Sequence, residues 1–234
     1  ASKLDAKAHG ASKWSAMAKR FVTDTGFDVA NGALQLFAGQ PQAALATVTT
    51  AIAEVDGLKV SGDDKVAVNI QAVSLRSYLD NATRAALQLG RYAQAEALAR
   101  RALKQPRAPF DSSDARVNSS TFEAVLADAV AMQGRKDEAN KILQPALAYY
   151  REQQQAGAHD TNFRRDFAYA LYVSAITAPT DAAGQKQRRS DLDEAGKLIA
   201  GASAEAQKLA DMRHVSGLIV AARGGAAESS GKSE

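Results

Sequence analysis

The side chains that could carry catalysis in this chain do not converge on a recognisable arrangement. His9, His159 and His214 are widely separated, and none has a serine, an aspartate or a second histidine in a suitable register. The chain has no cysteine, which excludes a thiol nucleophile, a disulfide framework and a cysteine-ligated metal. We therefore expect no enzyme activity, no metal and no cofactor.

One stretch near the C-terminus is similar to a phosphate-binding loop. It runs from Gly225 to Gly231 and on to Lys232 and Ser233, but five residues separate the glycines, not four. It also lacks a preceding strand and a following helix, which supply the anion-binding backbone in such loops. We interpret residues 223–234 as a disordered tail instead.

Two acidic groups could in principle provide paired carboxylates. They are Asp63 with Asp64, and Asp191 with Asp193 and Glu194. Both groups lie where helices are predicted to begin, and acidic side chains are favoured there as N-caps and by the helix dipole. Helix capping is therefore the predicted role of both.

The positive charge of the chain is concentrated at its N-terminus. The formal net charge is +3, but residues 1–22 contain four lysines and one arginine against Asp5, so they contribute +4 and the remainder −1. A nucleic-acid-binding protein would show a dense basic stripe, often with stacking aromatics, and this chain does not. We therefore expect no nucleic-acid partner.

The composition favours helices throughout. Hydrophobic residues make up 46% and charged residues 24% of the chain, and no apolar run approaches the about 18 residues of a membrane span. Alanine, the best helix former, accounts for roughly a fifth of the residues. The sequence predicts an all-α protein with helices over residues 2–22, 26–38, 41–55, 66–88, 92–104, 119–133, 136–155, 161–177, 190–200 and 204–222.

A repeated spacing organises these helices. Three glycines, Gly39, Gly90 and Gly134, are each followed by an alanine five residues on and another twelve residues on. The residue seven positions before each glycine is also small. The spacing predicts that a helix ends at each glycine and that a second, antiparallel helix follows, with small residues allowing close approach. A weaker fourth copy keeps Ala195 and Ala202 without its glycine.

The second and third copies resemble the tetratricopeptide repeat (TPR) family. The resemblance rests on the run from Leu89 to Leu103, closed by Pro106, and on the run from Gln133 to Leu147. It implies a right-handed α-solenoid of stacked antiparallel hairpins over residues 25–222. The glycines are 51 and 44 residues apart, longer than the family's about 34, so we expect insertions at 57–65, 105–118 and 178–190 and a long helix at 144–155.

In that family the first helix of each hairpin lines a concave surface that binds peptides or partner helices. The resemblance places mixed polar and aromatic residues on this surface. They are Asp80, Asn81, Arg84, Gln88, Asp128, Met132, Arg165, Tyr169 and Tyr172. Structural roles for the same residues, as core or solvated side chains, remain open, and the family's lysine- and asparagine-based clamp for chaperone tails is not expected because only Asn81 fits it.

The N-terminal segment, residues 1–24, is predicted to be a basic amphipathic helix. Its apolar positions recur at helical spacing. They are Leu4, Ala8, Ala11, Trp14, Ala18 and Phe21. The segment is expected to cap the first hairpin, and peripheral contact with anionic lipid is the alternative. A periplasmic or envelope location is favoured over a cytoplasmic one.

The function that this pattern favours is a non-catalytic scaffold or adaptor that binds a protein or peptide on its concave face. Two alternatives remain open: a soluble regulatory or sensor portion of a larger bacterial multidomain protein, and a self-assembling structural subunit. The pattern does not identify the partner or the oligomeric state.

Overall fold

The computed structural model describes residues 31–33, 35–36, 38–111 and 114–230. Within these residues every regular element is helical and there is no strand, which confirms the all-α prediction. Residues 31–33 and 35–36 are helical. The helices that follow are α1 (Pro41–Gly57), α2 (Lys65–Gln88), α3 (Tyr92–Leu103), α4 (Ala115–Ala131), α5 (Lys136–Gln155), α6 (Thr161–Thr177), α7 (Ala182–Ala200), α8 (Ala204–Gln207) and α9 (Ala210–Ser230).

The chain divides into two compact units. The first contains residues 1–90 and 104–112, and the second contains residues 91–103 and 113–234. In the first unit, α1 packs against α2. The Gln71 amide, early in α2, donates to the Val55 carbonyl late in α1 at 3.0 Å, so the two helices run antiparallel.

In the second unit, neighbouring helices from α3 to α7 pack consecutively and alternate in direction. For example, Asn140 at the start of α5 donates to the Thr177 carbonyl at the end of α6, at 3.1 Å. Across the next pair, Ser174 late in α6 donates to Asp191 at 2.7 Å. Helix α9 then packs on α6 and α7. This consecutive antiparallel packing is compatible with an α-solenoid.

The turn glycines and the small residues behave as their spacing predicts. Gly39, Gly90 and Gly134 have φ of 74°, 68° and 82°, the left-handed conformation that ends a helix and favours glycine. At Gly134 the Arg135 N–H also donates to the Val130 carbonyl at 3.3 Å, which satisfies a terminal carbonyl. The alanines after each glycine are buried, with exposures of 5% or less. They are Ala44, Ala51, Ala95, Ala102, Ala139 and Ala146.

Two helix starts differ from the prediction because aspartate caps lie earlier than expected. Helix α7 begins at Ala182, not at residue 190, because Asp181 caps it by accepting from the Gly184 N–H at 2.7 Å. The predicted insertion over 178–190 is therefore mostly helix. Helix α4 begins at Ala115, four residues before the predicted start, behind Asp114 as its N-cap.

Helix α5 has its predicted bounds, whereas the last helices differ from the prediction. Helix α5 is continuous from Lys136 to Gln155 although Pro145 lies inside it. The predicted helix over 204–222 is instead two helices, since α8 ends at Gln207 and α9 begins at Ala210. Helix α9 extends to Ser230 and so into the segment predicted as a tail. None of the helices in the described part of the chain is long and apolar enough to cross a membrane.

The capping interpretation of the two acidic groups is correct for one and wrong for the other. Asp64 is the N-cap of α2 and accepts from the Ala67 N–H at 3.0 Å. Asp191 lies in the middle of α7 and is buried, where it accepts a hydrogen bond from Ser174. The predicted helix over residues 2–22 lies outside the described residues.

Candidate partner-binding site

The nine predicted groove residues fall into the two units and are described separately for each. In the first unit, all four lie on α2. The Arg84 guanidinium Nε donates to both carboxylate oxygens of Asp80, at 2.9 and 3.0 Å, one turn apart on the helix. Asn81 is buried, whereas Gln88 is exposed at the end of the helix. Asp80 and Arg84 thus form an intrahelical ion pair, and Asn81 belongs to the packed side of α2.

In the second unit, α4 and α6 bring three of the predicted residues together. The Tyr169 hydroxyl donates to Asp128 Oδ2 at 2.6 Å, and both side chains are buried, with exposures of 6% and 7%. The Tyr172 ring lies 6.1 Å from the Tyr169 ring, centroid to centroid. Asp128 and Tyr169 therefore form a buried link between α4 and α6, with Tyr172 beside it.

Tyr172 is the member of this cluster that keeps part of its surface accessible. It is half-buried, and burial raises the pKa of its hydroxyl to about 12, with a further contribution from repulsion by Asp128. The hydroxyl therefore stays neutral at physiological pH and can both donate and accept a hydrogen bond. A partly accessible, oriented tyrosine is a common anchor for a bound peptide.

Arg165 and Met132 complete the predicted set. The Arg165 side chain is held in ion pairs, whereas the Met132 side chain is exposed. Arg165 donates from Nε to Asp166 at 2.7 Å and from Nη1 to Asp211 of α9 at 2.5 Å. Its guanidinium therefore connects α6 to α9. Met132, the residue that follows α4, is 46% exposed. An exposed thioether side chain offers an adaptable apolar contact.

The sequence reasoning did not identify Glu123, on α4. Its side chain is half-buried and makes no hydrogen bond or ion pair with the described residues. Burial raises the pKa of its carboxyl group. Desolvation of this half-buried carboxylate, with no cation beside it among the described residues, is the cause of the raised pKa. The sequence does indicate that Glu123 has no ion pair along its own helix, because no lysine or arginine lies within four residues of it.

A second polar region missed from the sequence is an open cleft between α5, α6 and α7. Its lining includes Gln154, Arg164, Glu194 and Lys197. Glu194 is paired with Arg151, and Arg164 donates to backbone carbonyls, at 2.7 Å in the case of His159. Glu194 and Arg164 therefore help to hold helices together, whereas Lys197 is exposed.

The remaining strong electrostatic contacts are also structural. Burial acts to raise the pKa of the Glu96 carboxyl group on α3. Hydrogen bonds from Gln133, Arg100 and Arg135 outweigh this effect and lower the pKa overall. Arg116 at the start of α4 pairs with Glu152 late in α5 at 2.7 Å. Within the described residues, no three or more acidic or histidine side chains are grouped so that they could hold a metal ion.

Comparison of the chain with protein-family models, with curated protein sequences and with solved structures finds no match.

Proposed function

We propose that this protein is a non-catalytic, TPR-like α-solenoid that binds a segment of another protein on the surface of its first helices. By first helices we mean those that precede the turn within a pair; in the second unit they are α4 and α6. The observation that carries the proposal is the arrangement on α4 and α6. There a buried Asp128–Tyr169 link holds the helices together while Tyr172 and Met132 present aromatic and thioether surface.

The chemistry of these residues suggests the kind of segment that would bind. Tyr172 and Met132 favour an apolar side chain, which gains from leaving water. Glu123 lies nine residues before Met132, which places it on the opposite side of α4 and outside this surface. The preferred ligand is therefore an extended or helical peptide with an apolar anchor.

A displayed random-peptide library is a suitable probe because the partner is unidentified. Peptides enriched on the immobilised full chain are synthesised with a fluorescent label, and their binding is measured by fluorescence anisotropy. We expect Tyr172→Ala and Met132→Ala each to weaken binding by about 5- to 30-fold, the range of a moderate hot spot of about 1–2 kcal/mol. Glu123→Gln, on the opposite side of α4, should leave the affinity unchanged.

The matched control is Val220→Ala, which truncates a 63% exposed side chain on α9. It should leave the affinity unchanged, and circular dichroism should show the same helix content in all four variants. The proposal is wrong if no peptide is enriched, or if the enriched peptides bind the Tyr172 and Met132 variants as tightly as wild type.

A further inference from the structure

The first turns of α2 are rich in apolar residues and only partly covered. Residues 65–73 include three valines, an isoleucine and two alanines, and residues 67–72 are half-buried. Val66 and Val73 are 55% and 47% exposed, whereas the helix becomes buried from Ser74 onward. One side of this segment therefore leaves apolar side chains in contact with water, where a covering element would be favourable.

Two sides of this segment are already occupied within the first unit. Gln71 faces α1 through its hydrogen bond to the Val55 carbonyl. On another side, the Asn69 side-chain amide oxygen Oδ1 accepts from the Phe110 N–H at 2.9 Å, which places the end of the connection that follows α3 along α2. The Phe110 side chain itself is 58% exposed. Val66, Val73 and Phe110 together form what we call the α2 patch.

Val66 and Val73 belong to one stripe of the helix. They are seven residues apart, which is nearly two full turns, so they lie on the same face. Asn69 lies between them and is rotated by about 60° from Val66, so it holds Phe110 beside this stripe. The patch is thus a continuous apolar strip about two turns long, of the size that one amphipathic helix covers.

We propose that residues 2–22 of this same chain bind to the α2 patch. They lie outside the described residues, and their sequence predicts an amphipathic helix whose apolar side includes Trp14 and Phe21. A 21-residue helix is about 31 Å long, enough to cover the strip with either end extending beyond it.

The place where the chain enters the first unit makes this docking sterically feasible. Residue 32 lies against α1, since a Cβ atom on Gly32 would come within 2.5 Å of Val48 Cγ1. Val48 and Val55 are about 10 Å apart along α1, and Val55 is bonded to the start of α2. Residues 23–30 can span up to about 26–29 Å, so the linker reaches the patch.

The positive charge of this segment has acidic side chains to meet in the first unit. Residues 1–22 carry a net charge of +4. Exposed acidic and basic side chains near the start of α2 and beside Phe110 are equal in number, so charge would act through individual ion pairs and not through a net negative surface. The acidic side chains are Glu54, Asp56, Asp63 and Asp64, and the basic ones are Lys59, Lys65, Lys104 and Arg107.

The test uses Trp14, because it is the sole tryptophan of the chain. In the full chain, its fluorescence emission should be blue-shifted, and acrylamide should quench it several-fold less than it quenches a synthetic peptide of residues 1–24. The double variant Val66→Asp with Val73→Asp should shift the emission to the red and raise quenching to the level of the peptide. The control Val220→Asp, on α9, should change neither.

Other occupants give different results, and each would overturn the proposal. Emission that turns red on dilution would mean that a second copy covers the patch. Emission that is red in buffer and becomes blue only with vesicles containing phosphatidylglycerol would mean that the segment binds a membrane instead. Equal quenching of the wild-type chain and the peptide would mean that the segment is not docked at all.

A cross-linking measurement keeps the proposal testable if the aspartate variants do not fold. Because the chain has no cysteine, Ala18→Cys with Val73→Cys introduces a single pair. A short bismaleimide should link this pair within one chain, seen as a mobility shift on a denaturing gel. The pair Ala18→Cys with Gln88→Cys should not be linked, because exposed Gln88 lies 15 residues, about 22 Å, beyond Val73 on the same helix. Equal linking of both pairs, or no linking of either, contradicts the proposal.

Discussion

Replacing Ala95 by leucine tests the packing that the turn glycines and small residues imply. Ala95 lies in α3, follows Gly90 by five residues and is 0% exposed. Helix α3 packs against α4 in its unit, and Glu96, the next residue, is bonded to Gln133 at 2.8 Å, so the helix cannot easily shift away. Leucine adds three carbon atoms at a point with no space, which should cost about 1–3 kcal/mol of the free energy of unfolding.

The control is Ala93→Leu, two residues earlier on the exposed side of the same helix. Alanine and leucine differ little in helix propensity, so this change should be nearly neutral. Thermal unfolding followed by circular dichroism should give a Tm about 2–12 °C lower for Ala95→Leu, at about 2–4 °C per kcal/mol for a chain of this size. Equal Tm values for the two variants would show that close approach at Ala95 does not matter, and the inferred close packing of α3 against α4 would be wrong.

Three further outcomes are expected. Gly184→Ala should lower the Tm because its Cβ would lie 2.1 Å from the Pro179 carbonyl oxygen, whereas Gly217→Ala, in open space on α9, should raise stability by about 0.5–1 kcal/mol. Burial raises the pKa of Asp191 above 3.8, so the folded state holds this proton more tightly than the unfolded state does. The free energy of unfolding measured in urea should therefore fall as pH rises from 3.8 through the folded pKa, and Asp191→Asn should remove this fall. The Tyr172 hydroxyl ionises at 10.0 when unfolded and at about 12 when folded, so stability should also decline between these pH values, and Tyr172→Phe should lessen that decline.

Local sequence signals were sufficient where a strong cap coincides with a regular apolar pattern. Helix α6 begins and ends at the predicted residues because Asp160 accepts from the Asn162 and Phe163 N–H groups, at 2.9 and 3.0 Å. The turn at Gly134 could also be predicted from the sequence, because only glycine adopts its φ of 82° without strain. These features depend on a few neighbouring residues, which the sequence shows directly.

The start of α7 could not be predicted from local sequence, because it depends on the contact between Gly184 and Pro179. Gly184 and the polar run after it are typical of a loop. In the structure, Gly184 is buried against Pro179, and its missing side chain allows that approach. The Asp181 cap then starts the helix at Ala182, eight residues before the predicted start at residue 190. Sequence propensity alone does not distinguish a glycine that breaks a helix from one that permits packing.

The same distinction applies to the candidate site. Helical spacing correctly placed Tyr169 and Tyr172 on one face of α6. It could not show that Asp128, 41 residues earlier in the chain, would accept a hydrogen bond from the Tyr169 hydroxyl. Spacing also suggested that Arg165 was available to a partner. Its contact with Asp211 arises because α9 packs back on α6, a long-range event with no local signature.

The position of α9 limits how a partner can bind in the second unit. Asp211, at the start of α9, contacts Arg165 near the start of α6, and later turns of α9 reach α7, where Arg188 donates to the Ala222 carbonyl at 3.1 Å. Helix α9 therefore lies on the last pair of helices and covers the early turns of α6. A bound segment would have to displace the Arg165–Asp211 ion pair to use that surface. Binding at Tyr172 and at Met132, beyond α4, requires no such displacement, so contact with a partner is expected to concentrate there.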